Sequence, residues 1–245
     1  MANWSFCYYR SKLTPDEQNI YDAVYNGWMS RNRSIRIPGN SSSDAISNAV
    51  IAVSNDHPEI FWVNIYRYTA TSSFFFSELY FEFFFDNHTI NFWQSEATAW
   101  QQRIANKFPT NFHGKDRIWL LYDYLARQVT YGEEGPEYSH NIIGPLRKNN
   151  HVAVCEGVAK SFKFLCDKIN IPCIVVEGDA FFGPGNSGPH AWNIVEYNGI
   201  YRHIDVTAEI SPAHFSGKAT EKNFLHTDFE MTQYSWNTRL TPSCR

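Results

Sequence analysis

Several features that would place the chain in a familiar class are missing from its 245 residues. It has no uninterrupted apolar run of about 18 residues, the length that a membrane-spanning helix needs. Its first ten residues lack a basic segment followed by an apolar one, so they do not predict a secretory signal. From these absences we expect either a cytosolic protein or the mature form of a secreted one.

Basic residues are not in excess, because 21 Lys and Arg stand against 25 Asp and Glu and the net charge is −4. A protein that neutralises nucleic-acid phosphates is normally basic, so nucleic-acid binding is disfavoured. Charged residues make up 19% of the chain and apolar residues 43%, which excludes wholesale disorder. The length allows one large domain or two small ones.

Motifs for metals and cofactors are also lacking. No phosphate-binding or dinucleotide-binding glycine pattern is present, and no loop has the acidic spacing of a calcium site. Cys166 and Cys173 are too far apart for a zinc knuckle, and no two cysteines are separated by two residues. We therefore expect no cofactor. Five cysteines do not suggest a disulfide framework, but a single bond between Cys7 and Cys244 is left open.

Aromatic residues are abundant instead, with 8 Trp, 14 Tyr and 19 Phe. Most of these rings should build the core. A surface that is rich in aromatics and poor in lysine also suits contact with peptide or carbohydrate. A binding module is therefore an alternative to an enzyme.

Hydrophobic periodicity and capping residues predict the order of the elements. A capping box at Thr14 predicts a first helix, and a second is expected from Ser43 to just before Pro58. A helix within 151–170 has one apolar face and one face with charged residues. A strand pattern begins at residue 60 and extends to 92, with aromatic-rich runs at 74–85 and 90–93 that a turn at 86–88 separates. The other predicted elements are helices at 95–107 and 115–128 and a strand at 173–178.

Asn198-Gly199 is the strongest hairpin signal in the chain, and it predicts paired strands at 190–197 and 200–206. His190 then lies at the start of the first strand and Asp205 near the end of the second. The two residues are offset diagonally by two positions and share a face of the sheet, within side-chain reach. Asp205 is thus placed to orient the His190 ring.

Cys155 lies at the start of the helix predicted within 151–170. A helix N-terminus offers free amide donors and a partial positive charge, which favours the nucleophilic thiolate and can hold an oxyanion. Taken singly, Cys155 would be a buried thiol on the apolar face, His190 a loop histidine and Asp205 a turn former. Taken together, they predict a Cys-His-Asp catalytic triad.

Three sequence blocks carry these residues: VCEGVAKSF at 154–162, PHAWNIV at 189–195 and YRHIDVT at 201–207. They resemble the core blocks of the transglutaminase-like superfamily. A weaker likeness to bacterial members covers DHPEIFW at 56–62 and SHNIIG at 139–144. The resemblance implies an α+β, papain-like fold in which a catalytic helix packs on an antiparallel β-sheet. We expect an N-terminal extension of helices and aromatic-rich strands at 1–110 and the catalytic core at 111–245.

The resemblance also implies a reaction, with Cys155 as nucleophile, His190 as general base and acid, and Asp205 as the orienting residue. The expected substrate is a protein or peptide amide, such as a glutamine side chain, which would form an acyl-enzyme. An amine acceptor would complete transamidation, and water would complete hydrolysis. The superfamily includes crosslinking enzymes, peptidases and inactive modules. A cysteine peptidase or amidase and an inactive peptide- or glycan-binding module therefore remain alternatives.

Three further residues near these blocks are secondary candidates for substrate binding or support of the triad. Trp192 either walls the acyl site or belongs to the core. Asn193 is expected to hydrogen-bond locally, and His140 either lines the cleft or is a solvated loop histidine. The Cys155 backbone amide is the expected oxyanion donor, and the sequence assigns no second one.

Overall fold

The computed structural model describes residues 6–39, 41–107, 114–181, 183, 185, 187–210 and 217–245. It has the predicted mixed α+β character, with antiparallel pairing in its larger sheets. The chain divides into two compact units, one of Cys7–Phe92 and the other of Trp93–Arg245 with Phe6. The predicted domain boundary at residue 110 lies outside the described residues and stays a prediction. No described helix is long and apolar enough to cross a membrane.

The unit Cys7–Phe92 combines two helices with a three-stranded antiparallel sheet of order β1-β3-β2. Thr14 and Glu17 form the predicted capping box of the first helix, and Ser42 caps the second. After a 3-10 turn at Tyr9–Lys12, the elements are α1 (Pro15–Met29), β1 (Ser34–Pro38), α2 (Ser43–Asp56), β2 (Val63–Ser72) and β3 (Phe76–Phe83).

Helix α3 (Asn87–Lys107) shows that the strand predicted at 90–93 and the turn predicted at 86–88 are wrong. Asp86 Oδ1 accepts a hydrogen bond from the Thr89 amide at 2.7 Å, so this aspartate caps a helix. The buried side chains recur at the spacing of one helix face: Ile90, Ala97, Trp100 and Ile104. The predicted helix at 95–107 is the second part of this longer one.

The unit Trp93–Arg245 holds a five-stranded antiparallel sheet of order β10-β6-β7-β8-β9 and a small parallel pair, β4 and β5. Helix α4 (Lys115–Gln128) has the predicted bounds. The elements that follow are β4 (Thr130–Tyr131), α5 (Pro136–Ser139), α6 (Ile143–Leu146), β5 (Val152–Ala153), α7 (Cys155–Lys168), β6 (Cys173–Phe181), β7 (Ser187–Tyr197), β8 (Ile200–Ile204), β9 (Phe224–His226) and β10 (Tyr234–Trp236).

Helix α7 packs against β6 and β7 and is buried on more than its apolar face. Lys160 and Lys163, on the charged face, are 6% and 0% exposed. Each ammonium is paired one turn away, Lys160 with Glu156 at 2.6 Å and Lys163 with Asp167 at 3.2 Å. Such pairing is the condition under which a charge can be buried, so α7 is an interior helix.

The hairpin of β7 and β8 has the predicted register. The turn residues 198–199 have φ angles of 52° and 78°, as a tight two-residue hairpin requires. Asn193 pairs with Ile204 across the strands. Because Asp205 directly follows β8, this register brings it beside His190 on β7.

Candidate active site

Cys155 is the first residue of α7 and comes two positions after the end of β5. The parallel pairing of β4 with β5 and a 3.1 Å hydrogen bond from the Val154 amide to the Ser139 carbonyl hold the chain at this point. The Cys155 side chain is partly exposed and packs on the core with its buried side. The sulfur therefore lies at the positive end of a 14-residue helix, on a residue that is partly exposed.

Gly157 allows the first turn of α7 to approach the segment that follows α5. A Cβ at this position would overlap the Ser139 carbonyl oxygen and lie 3.0 Å from that of Asn141. The glycine is thus required by packing and not by its backbone angles. This close approach sets the position of Cys155 relative to residues 139–141.

His190 and Asp205 form a buried pair, 7% and 2% exposed, with His190 Nε2 2.8 Å from Asp205 Oδ2. Asp205 Oδ1 accepts a hydrogen bond from the Ala208 amide at 3.1 Å, and Oδ2 accepts one from the Tyr234 hydroxyl at 2.7 Å. These donors fix the carboxylate. The carboxylate in turn fixes the ring of His190, with Nε2 donating.

With Nε2 held by Asp205, Nδ1 is the ring nitrogen of His190 that remains for Cys155. Burial lowers the pKa of His190, but hydrogen bonds to Asp205 and Cys155 outweigh it and raise this pKa to about 9. The fold thus brings the three predicted catalytic side chains together. They form one chain of interactions from thiol to imidazole to carboxylate.

Tyr234 is a site residue that the sequence patterns did not reveal. Its strand β10 pairs with β6, which places Tyr234 opposite Ala180. Burial and the neighbouring Asp205 carboxylate raise the pKa of Tyr234. The phenol therefore stays protonated and donates to Asp205 at neutral pH. A three-residue strand that pairs over such a sequence distance leaves no local signal.

Trp192 is 1% exposed and lies against the His190 ring, with centroids 6.0 Å apart and planes 18° apart. Its Nε1 donates to His203 Nδ1 at 3.0 Å, and His203 Nε2 lies 2.9 Å from Asp228 Oδ1. His203 Nδ1 is therefore an acceptor and the proton is on Nε2. Burial lowers the pKa of His203, which agrees with this neutral tautomer. The hydrogen bonds hold Trp192 in place behind His190.

Asn193 points to the other face of β7 from Trp192. Its Nδ2 donates to the Ala159 carbonyl on α7 at 3.0 Å and to the Ile174 carbonyl on β6 at 3.2 Å. Asn193 is 1% exposed. The side chain therefore ties the helix that carries Cys155 to the sheet that carries His190.

His140 lies between two carboxylates, 2.8 Å from Glu156 through Nδ1 and 2.8 Å from Glu133 through Nε2. The hydrogen bond to Glu156 raises the pKa of His140, against the effect of burial. Burial raises the pKa of Glu156, but Lys160 and His140 outweigh it and lower this pKa to about 2. This charged cluster adjoins Cys155 through Glu156, the next residue of α7.

Tyr131 is a second residue near Cys155 that the sequence patterns did not reveal. It pairs with Ala153 on β5, two residues before Cys155, and is 55% exposed. Burial and then the Cys155 thiol raise the pKa of Tyr131, while a hydrogen bond from the Cys155 backbone amide lowers it. Tyr131 and Cys155 are therefore neighbours in the site.

One described cluster has donor atoms suited to a metal: His203, Asp228 and Cys244, whose atoms lie within 4.8 Å of one another. Both ring nitrogens of His203 already have protein partners, so a metal would have to displace one of them. Burial raises the pKa of Cys244 to about 12, which opposes the thiolate that a metal prefers. All five cysteines are free thiols.

Comparisons with known proteins give matches to solved structures at low identity. No protein-family model and no curated protein matches the chain. Among solved structures, a proposed cysteine protease from Cytophaga hutchinsonii is 16% identical with a TM-score of 0.38, covering 58% of this chain and 61% of its own. A TGase is 15% identical with a TM-score of 0.38, covering 72% and 51%. The periplasmic domain of TgpA from Pseudomonas aeruginosa is 12% identical with a TM-score of 0.34, covering 73% and 74%.

The chain spans less than two thirds of the length of the first two of these structures. At these identities and TM-scores the likeness assigns no reaction to this chain.

Proposed function

We propose that this chain is a cysteine-dependent enzyme that transfers the acyl group of a protein or peptide amide. The observation that carries the proposal is a partly exposed cysteine at a helix N-terminus, with its thiol beside an imidazole that a buried carboxylate holds at 2.8 Å. Cys155 is the nucleophile, His190 the general base and acid, and Asp205 the orienting residue. All three belong to the unit Trp93–Arg245.

The Cys155 thiolate attacks the carbonyl carbon of the amide, and the carbonyl electron pair moves to oxygen. The His190 imidazolium gives its proton to the amide nitrogen as the carbon–nitrogen bond breaks. Ammonia or an amine leaves, and a thioester remains on Cys155. An amine or water then attacks the thioester while losing a proton to His190, and the thiolate is released. A His190 pKa of about 9 keeps the imidazolium populated at neutral pH.

The developing oxyanion needs hydrogen-bond donors. The Cys155 amide is the first, because the leading amides of a helix have no partner within it. We infer that the Tyr131 hydroxyl is the second, since Tyr131 pairs with Ala153, two residues before Cys155, and its pKa responds to Cys155. Its exposure of 55% leaves room for a substrate oxygen to enter between them and for the phenol to turn toward it.

The secondary candidates act in this proposal by position and not by contact with substrate. Trp192 packs against one face of the His190 ring, and the hydrogen bonds of Asn193 connect α7 to the sheet. His140 and Glu156 form an ion pair at the first turn of α7. Each of them fixes the distance between sulfur and imidazole, on which proton transfer depends.

A glutamine-containing peptide incubated with a labelled primary amine distinguishes the outcomes by mass spectrometry. Incorporation of the amine identifies a transamidase. Replacement of the side-chain ammonia by water identifies an amidase, and cleavage of the peptide identifies a peptidase. Because one acyl-enzyme serves all three, Cys155→Ser should abolish whichever activity is found. Cys166→Ala, which removes a buried thiol farther along the same helix, should retain it.

Unchanged turnover in Cys155→Ser would contradict the proposal. Absence of turnover on every amide, together with alkylation of Cys155 no faster than that of an ordinary thiol, would favour the aromatic-rich binding module. Binding of peptides and glycans to the same protein would then test that alternative.

A further inference from the structure

A second thiol–imidazole–carboxylate arrangement lies in the unit Cys7–Phe92. Cys7 Sγ is 3.5 Å from His57 Nε2, and His57 Nδ1 is 2.9 Å from Glu59 Oε1. The His57 side chain is 7% exposed and that of Glu59 34%, while Cys7 is partly exposed. The proposed acyl transfer makes no use of these groups.

The surroundings of His57 favour its protonated form. His57 is the C-cap of the 14-residue helix α2, where the helix dipole stabilises a cation. Burial lowers the pKa of His57, but Cys7 and Glu59 outweigh it and raise this pKa to about 9. An imidazolium in contact with sulfur favours the thiolate. Among the described residues, the titratable groups around the pair include Arg10, Tyr21, Tyr25 and Asp56.

The backbone around Cys7 does not suit acyl transfer. The amides of Tyr9 and Arg10, which follow Cys7, donate to the two oxygens of Asp56 at 3.1 and 3.0 Å. The Tyr21 hydroxyl donates to the same carboxylate at 3.1 Å. These donors are therefore engaged and cannot hold an oxyanion. Thiol–disulfide exchange needs no oxyanion site, only a thiolate and a route to it.

We propose that Cys7, His57 and Glu59 form a second reactive-thiol site, which takes small-molecule disulfides by thiol–disulfide exchange. The Cys7 thiolate attacks one sulfur of the disulfide and forms a mixed disulfide with it. The bond between the two sulfurs of the reagent breaks, and the released thiolate takes the proton of the His57 imidazolium. One disulfide is consumed and one is formed, so no other oxidant is needed. This site is independent of the proposed function of Cys155.

The test uses the full chain, reduced and then exposed to glutathione disulfide, with the adduct on each cysteine measured by peptide mass spectrometry. Because His57 Nε2 contacts the Cys7 sulfur and can take up its proton, Cys7 should react about tenfold or more faster at pH 6.5 than the same cysteine in a short synthetic peptide. The adduct on the buried Cys166 and Cys173 gives the background level of modification in the same sample.

Glu59→Gln should slow the reaction of Cys7 several-fold, because it removes the carboxylate that supports the imidazolium. Glu78→Gln, an equivalent change on β3 of the same unit, should leave the rate unaltered. His57→Gln should lower the rate of reaction of Cys7 to that of the peptide. If His57→Gln does not fold, the rate measured in Glu59→Gln tests the proposal. A Cys7 rate equal to that of the peptide, or unaltered by Glu59→Gln, would overturn the proposal. So would a product consisting only of two chains joined through Cys7.

Discussion

Replacement of Asp205 by asparagine should change both the rate and the pH range of the proposed reaction. The Ala208 amide donates to one oxygen of Asp205, and His190 and Tyr234 donate to the other. In Asp205→Asn the remaining oxygen stays with Ala208, so the amide nitrogen faces His190. The ring must then accept at Nε2 and carry its proton on Nδ1, toward Cys155. That tautomer cannot take a proton from the thiol.

The magnitude follows from the lost interaction. A hydrogen bond to a charged group contributes about 1.5–3 kcal/mol, and about 1.4 kcal/mol corresponds to one pH unit. The His190 pKa, about 9 in the native site, should therefore fall by roughly one to two pH units. The alkaline limb of the kcat/KM profile should shift to lower pH by the same amount, because the imidazolium that protonates the leaving nitrogen loses its proton at a lower pH. The wrong tautomer should also lower kcat by about 10⁴-fold.

Amine incorporation measured against pH, together with NMR titration of the His190 ring, tests this prediction. Glu209→Gln is the matched control. Glu209 is a buried carboxylate in the 3-10 turn Thr207–Glu209, bound to Thr220 and Asn223 and not to His190. The reasoning is refuted if the alkaline limb of Asp205→Asn stays near 9, or if Glu209→Gln moves it as far.

Gly157→Ala should lower the free energy of unfolding by about 1–3 kcal/mol, since its Cβ overlaps a backbone carbonyl. Gly188→Ala, whose Cβ meets nothing within 4 Å, should leave the thermal melting temperature unchanged. Tyr131→Phe should lower kcat roughly a hundredfold with little effect on KM, and an unchanged or raised kcat would remove the phenol from the oxyanion site. His140→Gln should destabilise the protein most at acid pH. The pKa of His140 is raised, so its contribution is present below its ordinary value of 6.5 and is lost as the pH rises past the raised value. Denaturation curves of His140→Gln and wild type should therefore converge in alkaline buffer, and a constant gap would contradict this.

The parts of the site that could be predicted have local signals. Asn198-Gly199 selects a two-residue turn, and a two-residue turn leaves one register for the hairpin. That register alone brings His190 and Asp205 together. Cys155 could be placed because α7 has a strong helical period and a clear start.

The parts that could not be predicted depend on long-range pairing. Tyr131 and Tyr234 lie on strands of two and three residues, whose partners are distant in sequence. Helix α3 was missed at its start because Phe and Trp residues at 90–93 fit a strand as well as a helix, and the cap at Asp86 decides between them. The burial of Lys160 and Lys163 depends on pairing with carboxylates one turn away. Hydrophobic periodicity alone predicts that such charged residues form a solvent-exposed face.

The most direct test of the central claim is the location of the covalent intermediate. The protein is mixed with a glutamine-containing peptide, quenched in acid within the first turnover, digested and mapped by mass spectrometry. We expect an acyl group on Cys155 that hydroxylamine removes, as it removes a thioester, and less of it when an amine acceptor is present. An acyl group on another residue, or amide turnover that persists in Cys155→Ala, would contradict it.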